Sequence, residues 1–326
     1  MSRSSSLRAA CFLMFLAAVG LAACSKTADA PKDETAAPVT APAAETAAPA
    51  ATPPAAVSQN VHAFKIGELA AMALRDGALE LPNDNKVFGV GRTPEEVAAV
   101  LAAAGQPTDK LTLTIKPLLV KAQERVLLFD TGAGTLFGPG SGLLSASLSE
   151  AGVDPLLVTD IFISHSHGDH VGGLVNADGV LAFPNARIHL SKAEWKHMRG
   201  NKQYEALNQA MKPQVAEFAP GAELIPGVVK AVEVKGHTPG HSAYLITSGA
   251  DSLLYVGDSM HHFVVSVQKP EWTISFDGDS ATASKSRADL IARSAASGQR
   301  IYAVHFPFPG IGKFTRQGET HAWAAE

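Results

Sequence analysis

The stretch Ser164-His165-Ser166-His167-Gly168-Asp169-His170 places three imidazoles and a carboxylate within six residues, directly after a mostly apolar run at 158–163. Few folds accommodate such a density of ligating groups. His165 and His167 stand two apart, so at the end of a strand both can aim at one ion from a single turn. Asp169 and His170 then point to a neighbouring position. Neutral imidazole combined with carboxylate suits zinc, manganese or iron better than calcium or magnesium. Buried without a metal, the cluster would leave several polar groups unpaired, at about 1–3 kcal/mol each. The competing reading is a polar surface loop.

Further ligand types recur downstream in the same local setting. His237 lies in Gly236-His237-Thr238-Pro239-Gly240-His241, a turn-rich segment after an alternating run at 228–234. Asp258 follows Leu253-Leu254-Tyr255-Val256-Gly257, and His305 ends Ile301-Tyr302-Ala303-Val304. Each stands just past a β-like run, where loops on a rigid scaffold concentrate chemistry. Alone, any of them would more often be structural; their recurrence is what points to a shared site.

The order HxHxDH, then His, Asp and His, resembles the metallo-β-lactamase superfamily of dinuclear hydrolases, over the chain from about Ala63 onward. The resemblance implies an α/β fold, the αββα sandwich. It implies that His165, His167 and His237 hold one metal and Asp169, His170 and His305 the other, with Asp258 bridging. Local stretches resemble the branch of methyl parathion hydrolase and the quorum-quenching lactonases: Phe129-Asp130-Thr131-Gly132-Ala133-Gly134, Leu136-Phe137-Gly138-Pro139 and His305-Phe306-Pro307-Phe308-Pro309-Gly310-Ile311-Gly312.

The implied chemistry needs no serine or cysteine nucleophile. Two divalent ions, zinc foremost with manganese and iron open, hold a bridging hydroxide that opens lactones, cleaves esters or attacks phosphotriesters. Asp169 and Asp258 take part directly, and Asp258 shares the proton. His261 replaces the tyrosine that lactonases often carry there, and either contacts the substrate carbonyl or leaving group or pairs with backbone; the role of His262 stays open. Asp130 either orients a ligand histidine or caps its own turn. For substrate contact, Phe137 and Trp195 are the candidates, ahead of Phe263, Phe306 and Phe308. Two alternatives remain, a β-lactamase and a non-catalytic metal-binding lipoprotein. The bridging carboxylate disfavours the first, as does the lack of cysteine in the catalytic body.

Residues 1–23 carry Arg3 and Arg8 followed by an apolar run, the plan of a secretory signal. The run is short for a span of ~20 apolar residues. Leu21-Ala22-Ala23-Cys24 resembles a bacterial lipobox, which implies lipidation of Cys24 and a periplasmic lipoprotein, with Ser25 favouring the outer membrane. Residues 24–60 then form an Ala/Pro/Thr-rich tether that cannot bury a core, and 61–326 form one catalytic domain. Both cysteines, Cys11 and Cys24, lie outside that domain, so it has neither disulfide nor thiolate ligand. Loss of the signal removes two of 27 basic side chains against 31 acidic ones, a net charge of −6. With no basic run, a nucleic-acid partner is not expected; the partners expected are a small lactone or ester, the membrane through the lipid and, by resemblance, a second copy of the chain.

Local patterns give the expected elements. Thr93-Pro94-Glu95-Glu96 reads as an N-cap, Pro at N1 and Glu at N3 of a helix reaching Ala104. Helices are also expected at 143–151, 191–211 and 279–297. Residues 111–115 and 125–129 read as strands around a polar turn at 121–124.

Overall fold

The computed structural model describes residues 58–326. Its strands alternate between two apolar environments, and that alternation builds the layers. In Leu118–Ala122, Leu118 and Val120 face one core while Leu119 faces another; in Arg125–Phe129, Leu127 and Phe129 are divided from Leu128 in the same way. In Asp251–Tyr255, Leu253 and Tyr255 face the first core and Leu254 a third. The first core lies between two seven-stranded sheets, and the others lie under helices on the outer faces.

The first sheet runs in the order Val61–Ile66, Leu69–Leu74, Leu118–Ala122, Arg125–Phe129, Asp160–Phe162, Arg187–Ser191, Val215–Phe218. The second runs Glu223–Ile225, Val229–Glu233, Ser242–Ser248, Asp251–Tyr255, Arg300–Tyr302, Ile311–Gln317, Thr320–Ala325. The last three strands of the first sheet are added in parallel to Arg125–Phe129, and Arg300–Tyr302 pairs in parallel with Asp251–Tyr255. Their C-terminal ends therefore emerge on one rim. This is the αββα sandwich that the resemblance implies.

Seven α-helices lie among the described residues. α1 (Pro94–Ala103) carries the expected capping box between Thr93 and Glu96. It packs with Phe88, Leu111, Leu113, Trp272 and Ile274 in a fourth cluster beside the sandwich. α2 (Leu144–Glu150) covers the first sheet, and α3 (Gly168–Val171) is one turn inside the histidine-rich segment. α4 (Lys192–Gly200) and α5 (Glu205–Met211) also cover the first sheet, while α6 (Val265–Gln268) and α7 (Ser280–Ser297) cover the second. α7 starts at the Asp279 cap and ends at Gly298 in the left-handed conformation, as the pattern predicts.

Two expectations change. The helix expected at 191–211 is broken: Asn201 is extended (φ −100°, ψ 113°) and its side chain accepts from Gln203 N, starting a new turn at 202–204. Asn competes for the backbone more effectively than it continues a helix. The polar turn expected at 121–124 shrinks to Gln123 and Glu124, because Leu118–Ala122 is itself a strand whose Lys121 faces outward. Lys110–Ile115 pairs instead with Gly77–Pro82 in a separate two-stranded sheet, and Lys116-Pro117 separates it from the sheet strand.

Candidate metal centre

All seven residues expected as ligands converge at the common rim. His165, His167, His237 and Asp258 offer atoms that lie within 4.8 Å of one another, as do Asp169, His170, Asp258 and His305. Asp258 belongs to both groups. Its Oδ2 lies 3.6 Å from His165 Nε2 and 3.4 Å from His237 Nε2, while its Oδ1 lies 3.1 Å from His170 Nε2 and 2.9 Å from His305 Nε2. His237 Nε2 is 3.1 Å from His165 Nε2 and 3.0 Å from His167 Nδ1. Asp169 Oδ2 stands 3.4 Å from His170 Nε2 and 3.5 Å from His305 Nε2.

These spacings test the donor set. Ligands about 2.0–2.1 Å from a zinc ion stand ~3.3 Å apart in a tetrahedron, the middle of the observed distances. Buried His170 Nε2 and Asp258 Oδ1 have no hydrogen-bond partner despite their proximity. A side chain kept dry and unpaired costs about 1–3 kcal/mol, which coordination removes. The residues fit two divalent cations that share Asp258.

The far nitrogen of three of the five ligand rings is fixed by a carboxylate or a backbone carbonyl, which sets the tautomer. His170 Nδ1 donates to Asp130 (2.7 Å), His237 Nδ1 to Asp277 (3.0 Å), and His305 Nδ1 to the Thr114 carbonyl (2.8 Å). Asp130 is the orienting carboxylate rather than a mere turn cap. It also accepts from Ser164 N (2.7 Å), Ser164 Oγ (2.6 Å) and Tyr255 Oη (2.7 Å), and it holds a left-handed backbone (φ 56°) to do so. His241 Nδ1 donates to the Val234 carbonyl, leaving its Nε2 to accept from Asp258 N at 2.9 Å.

The electrostatics divide the two halves. Burial pushes His165 well below the ordinary imidazole range, lowers His167 and takes His237 to about 3. That half is neutral and ready to donate lone pairs. Burial acts against the charged form of His170 too, but Asp258, Asp169 and Asp130 hold it well above its usual value; Asp258 likewise raises His305. Asp258 resists the upward push of burial through His170, His305, His165 and His261, and stays well below the carboxylate range. His170 and His305 would hold a cation there only in their neutral forms, so binding would be coupled to proton release.

A cavity of about 550 Å³ opens onto the ligands, lined by Leu79, Leu113, Ile115, Leu136, Phe137 and Phe276 together with polar Gln203, Tyr204 and Ser275. Phe137 is in place as expected, half-exposed at the mouth and packed over Gly168. A Cβ on that glycine would stand 3.3 Å from its ring. Buried Asp76 staples the loop beneath it by accepting from Ala133 N (2.8 Å), Gly142 N (3.3 Å) and Leu144 N (3.0 Å). Trp195 is a correction: its indole is 4% exposed in the core between α4 and the first sheet and does not line the cavity, because it faces inward on α4. Phe306 is likewise core, and Phe308 and Phe263 pack against core clusters. His261 lines the cavity with both ring nitrogens unpartnered, Nε2 being 3.2 Å from Asp258 Oδ2. His262 points away, its Nδ1 accepting from Val264 N and Val265 N. Cys24 lies outside the described residues.

Residues 117–305 match the profile of the metallo-beta-lactamase superfamily, more than half of the chain. The chain belongs to that superfamily. Among solved structures it is similar to AidC, a dizinc quorum-quenching lactonase in complex with a product, at 29% identity and a TM-score of 0.76, covering 82% of this chain and 97% of that one. It is 26% identical over 187 residues to a metallo-hydrolase of Mycobacterium bovis, covering 47% of this chain and 58% of the relative. An N-acyl homoserine lactonase of a Bacillus species is 28% identical over 161 residues, covering 43% of this chain and 61% of the relative. The chain thus spans less than two thirds of the length of these curated relatives. The superfamily, its fold and a divalent metal site follow from the match, the similar structures and the ligand geometry together.

Glu194, Asp277, His241, Lys116, Gln203 and Tyr204 escaped the sequence reading. The neighbouring Gly-His-Thr-Pro-Gly-His run did contain a signal for His241, a second histidine four residues after a ligand. The others stand in helices, strands or loops with nothing local to mark them.

Proposed function

We propose that the protein is a dinuclear hydrolase of neutral lactones and carboxylic esters, with phosphotriesters as secondary substrates. The observation that carries this reading is the cavity: its apolar wall ends on Asp258, the one residue common to both ligand sets. Two divalent ions held there, zinc foremost, would supply a water-derived nucleophile at neutral pH and electrophilic activation of the carbonyl.

The chain's own residues do the rest. Leu79, Leu113, Ile115 and Phe276 desolvate an acyl chain or aryl group and fix the carbonyl against the polar end. His261 faces the same space with its ring nitrogens free. It donates a hydrogen bond to the substrate carbonyl or a proton to the departing alkoxide, so that the acyl C–O bond breaks as a new one to the water oxygen forms. The surrounding histidines hold the Asp258 and Asp169 carboxyls below their ordinary range, which favours the ionised form that ligates a cation.

The cavity lining contains no Lys or Arg among the described residues. That favours a neutral substrate over a β-lactam, whose carboxylate needs a cationic partner. Similarity to the dizinc lactonase supports the lactone reading in particular. The leader and Cys24 support delivery to the periplasmic face of a membrane as a lipoprotein; mass spectrometry of the mature N-terminus tests this. For the activity, the purified zinc-loaded protein is offered a γ-lactone, an aryl ester, a phosphotriester and a β-lactam. Ring opening and ester cleavage exceeding β-lactam hydrolysis support the reading, and the reverse order refutes it.

A further inference from the structure

Two buried ionisable side chains outside both ligand sets stand one behind each half of the centre. Glu194, fully buried on α4, gathers four donors: Ser166 N (2.8 Å) and Ser166 Oγ (2.6 Å) on Oε1, Thr238 Oγ1 (2.7 Å) and Gly240 N (2.9 Å) on Oε2. Ser166 separates His165 from His167, and Thr238 follows His237. One carboxylate therefore ties the turn bearing two ligands to the turn bearing the third.

Lys116 is equally buried and serves the other half. Its Nζ lies within hydrogen-bond distance of Thr114 Oγ1 (2.6 Å), the Val304 carbonyl (2.7 Å) and the Phe306 carbonyl. Those carbonyls flank His305, whose own Nδ1 is held by the Thr114 carbonyl. The Phe306–Gly312 run leaves room for the lysine: a Cβ on Gly310, whose φ is +79°, would stand 2.0 Å from Lys116 Cε. Its nitrogen meets three neutral oxygens, and burial holds it well below the ordinary lysine range. Burying an amine in this way is weak support for stability, since apolar replacements of buried ionisable groups are often neutral or better. The placement behind a ligand loop gives it a different purpose.

We propose that Glu194 and Lys116 are positioning residues that set the affinities of the two metal ions separately, Glu194 for the His165/His167/His237 ion and Lys116 for the ion held by His305. The proposal rests on the two-cation reading of the site. Outer partners of metal ligands are worth about 10–100-fold in affinity, and each of these acts on the backbone that carries its ligands.

The test measures metal stoichiometry and affinity by competitive chelator titration, with the visible spectrum of the cobalt(II)-loaded protein as a report on coordination. Glu194→Gln and Lys116→Met should each weaken one ion by about 10–100-fold and leave the other within about twofold. Ligand deletions assign the effects. In a His305→Ala background Glu194→Gln still weakens the remaining ion and Lys116→Met does not, whereas in His167→Ala the pattern reverses. The cobalt spectrum changes for the weakened ion alone. Equal weakening of both ions by either variant, or of neither, overturns the proposal. Should Glu194→Gln or Lys116→Met not fold, Thr238→Val and Thr114→Val each remove one hydroxyl from the same networks, and unchanged affinity at the corresponding ion overturns it. A wild-type protein that binds fewer than two ions refutes the two-cation reading instead.

Discussion

Asp130→Asn separates the supporting network from the ligands. Asparagine has nearly the same shape and tolerates a left-handed backbone, so the φ of 56° adds little strain to the substitution. The native carboxylate accepts four hydrogen bonds at 2.6–2.7 Å, from Ser164 N, Ser164 Oγ, His170 Nδ1 and Tyr255 Oη. An amide can accept through its oxygen but turns its NH₂ toward donors. Oδ1 serves Ser164 N, while Oδ2 serves the other three, so the amide oxygen settles in the Oδ2 position and its NH₂ faces Ser164 N, which loses its acceptor. At about 1–3 kcal/mol for each buried group left unsatisfied, the loss is roughly 1–3 kcal/mol. His170 also exchanges the charged acceptor of its Nδ1–H for a neutral amide oxygen, which weakens the second ion by about 10–100-fold. Urea unfolding of the apo protein measures the first effect, and chelator titration of the metal-loaded protein the second. A variant within about 0.5 kcal/mol of wild type, with unchanged metal affinity, would refute the reasoning from convergent donors.

Other perturbations separate roles that lie close together. Asp258→Ala should cut turnover by more than ~100-fold, beyond the usual effect of an outer partner, while circular dichroism stays native; surviving turnover removes its bridging role. Trp195→Ala should cost about 3–5 kcal/mol in denaturant unfolding and leave KM for the lactone unchanged, since the indole lies in the core; a selective rise in KM would restore it to the substrate site. Asp160 is the clearest pH marker. Burial pushes its carboxyl up, but His189, Thr159 and Arg125 outweigh this and hold it at about 2. Its folded value is thus depressed below the unfolded ~3.9, and its contribution is present above that value and lost as pH falls through about 2. Asp160→Asn should cost roughly 1–2 kcal/mol at pH 7 and at pH 5, with the gap from wild type closing between pH 4 and pH 2. A gap that is independent of pH contradicts this.

The ligands were legible because metal chemistry restricts residue types and because the strand ends place them at recognisable points: His165, His237, Asp258 and His305 each follow a β-like run. The strand at Arg125–Phe129 was legible because a strand buried on both faces reads as a continuous apolar run, but the division of Leu127 and Phe129 from Leu128 between two cores was not, and the layers came from the resemblance. The break at Asn201 depended on a side-chain hydrogen bond to Gln203 N competing with a helix that the composition favours. Trp195 was ambiguous because an aromatic side chain fills a core and lines a pocket equally well, and only the rotation of α4 decides. Glu194 and Lys116 gave no local signal at all. Their donors and acceptors lie 28 to 46 and 188 to 190 residues away, apart from Thr114, so only the folded chain brings them to the ligand loops.

The central claim is that two ions sharing Asp258 perform the hydrolysis. It is tested most directly by titrating the metal-free protein with zinc while recording γ-lactone ring opening. The account predicts no ring opening before zinc is added and a plateau at two ions per chain, reversed by chelation. A plateau at one ion, or ring opening by the chelated protein, would contradict it.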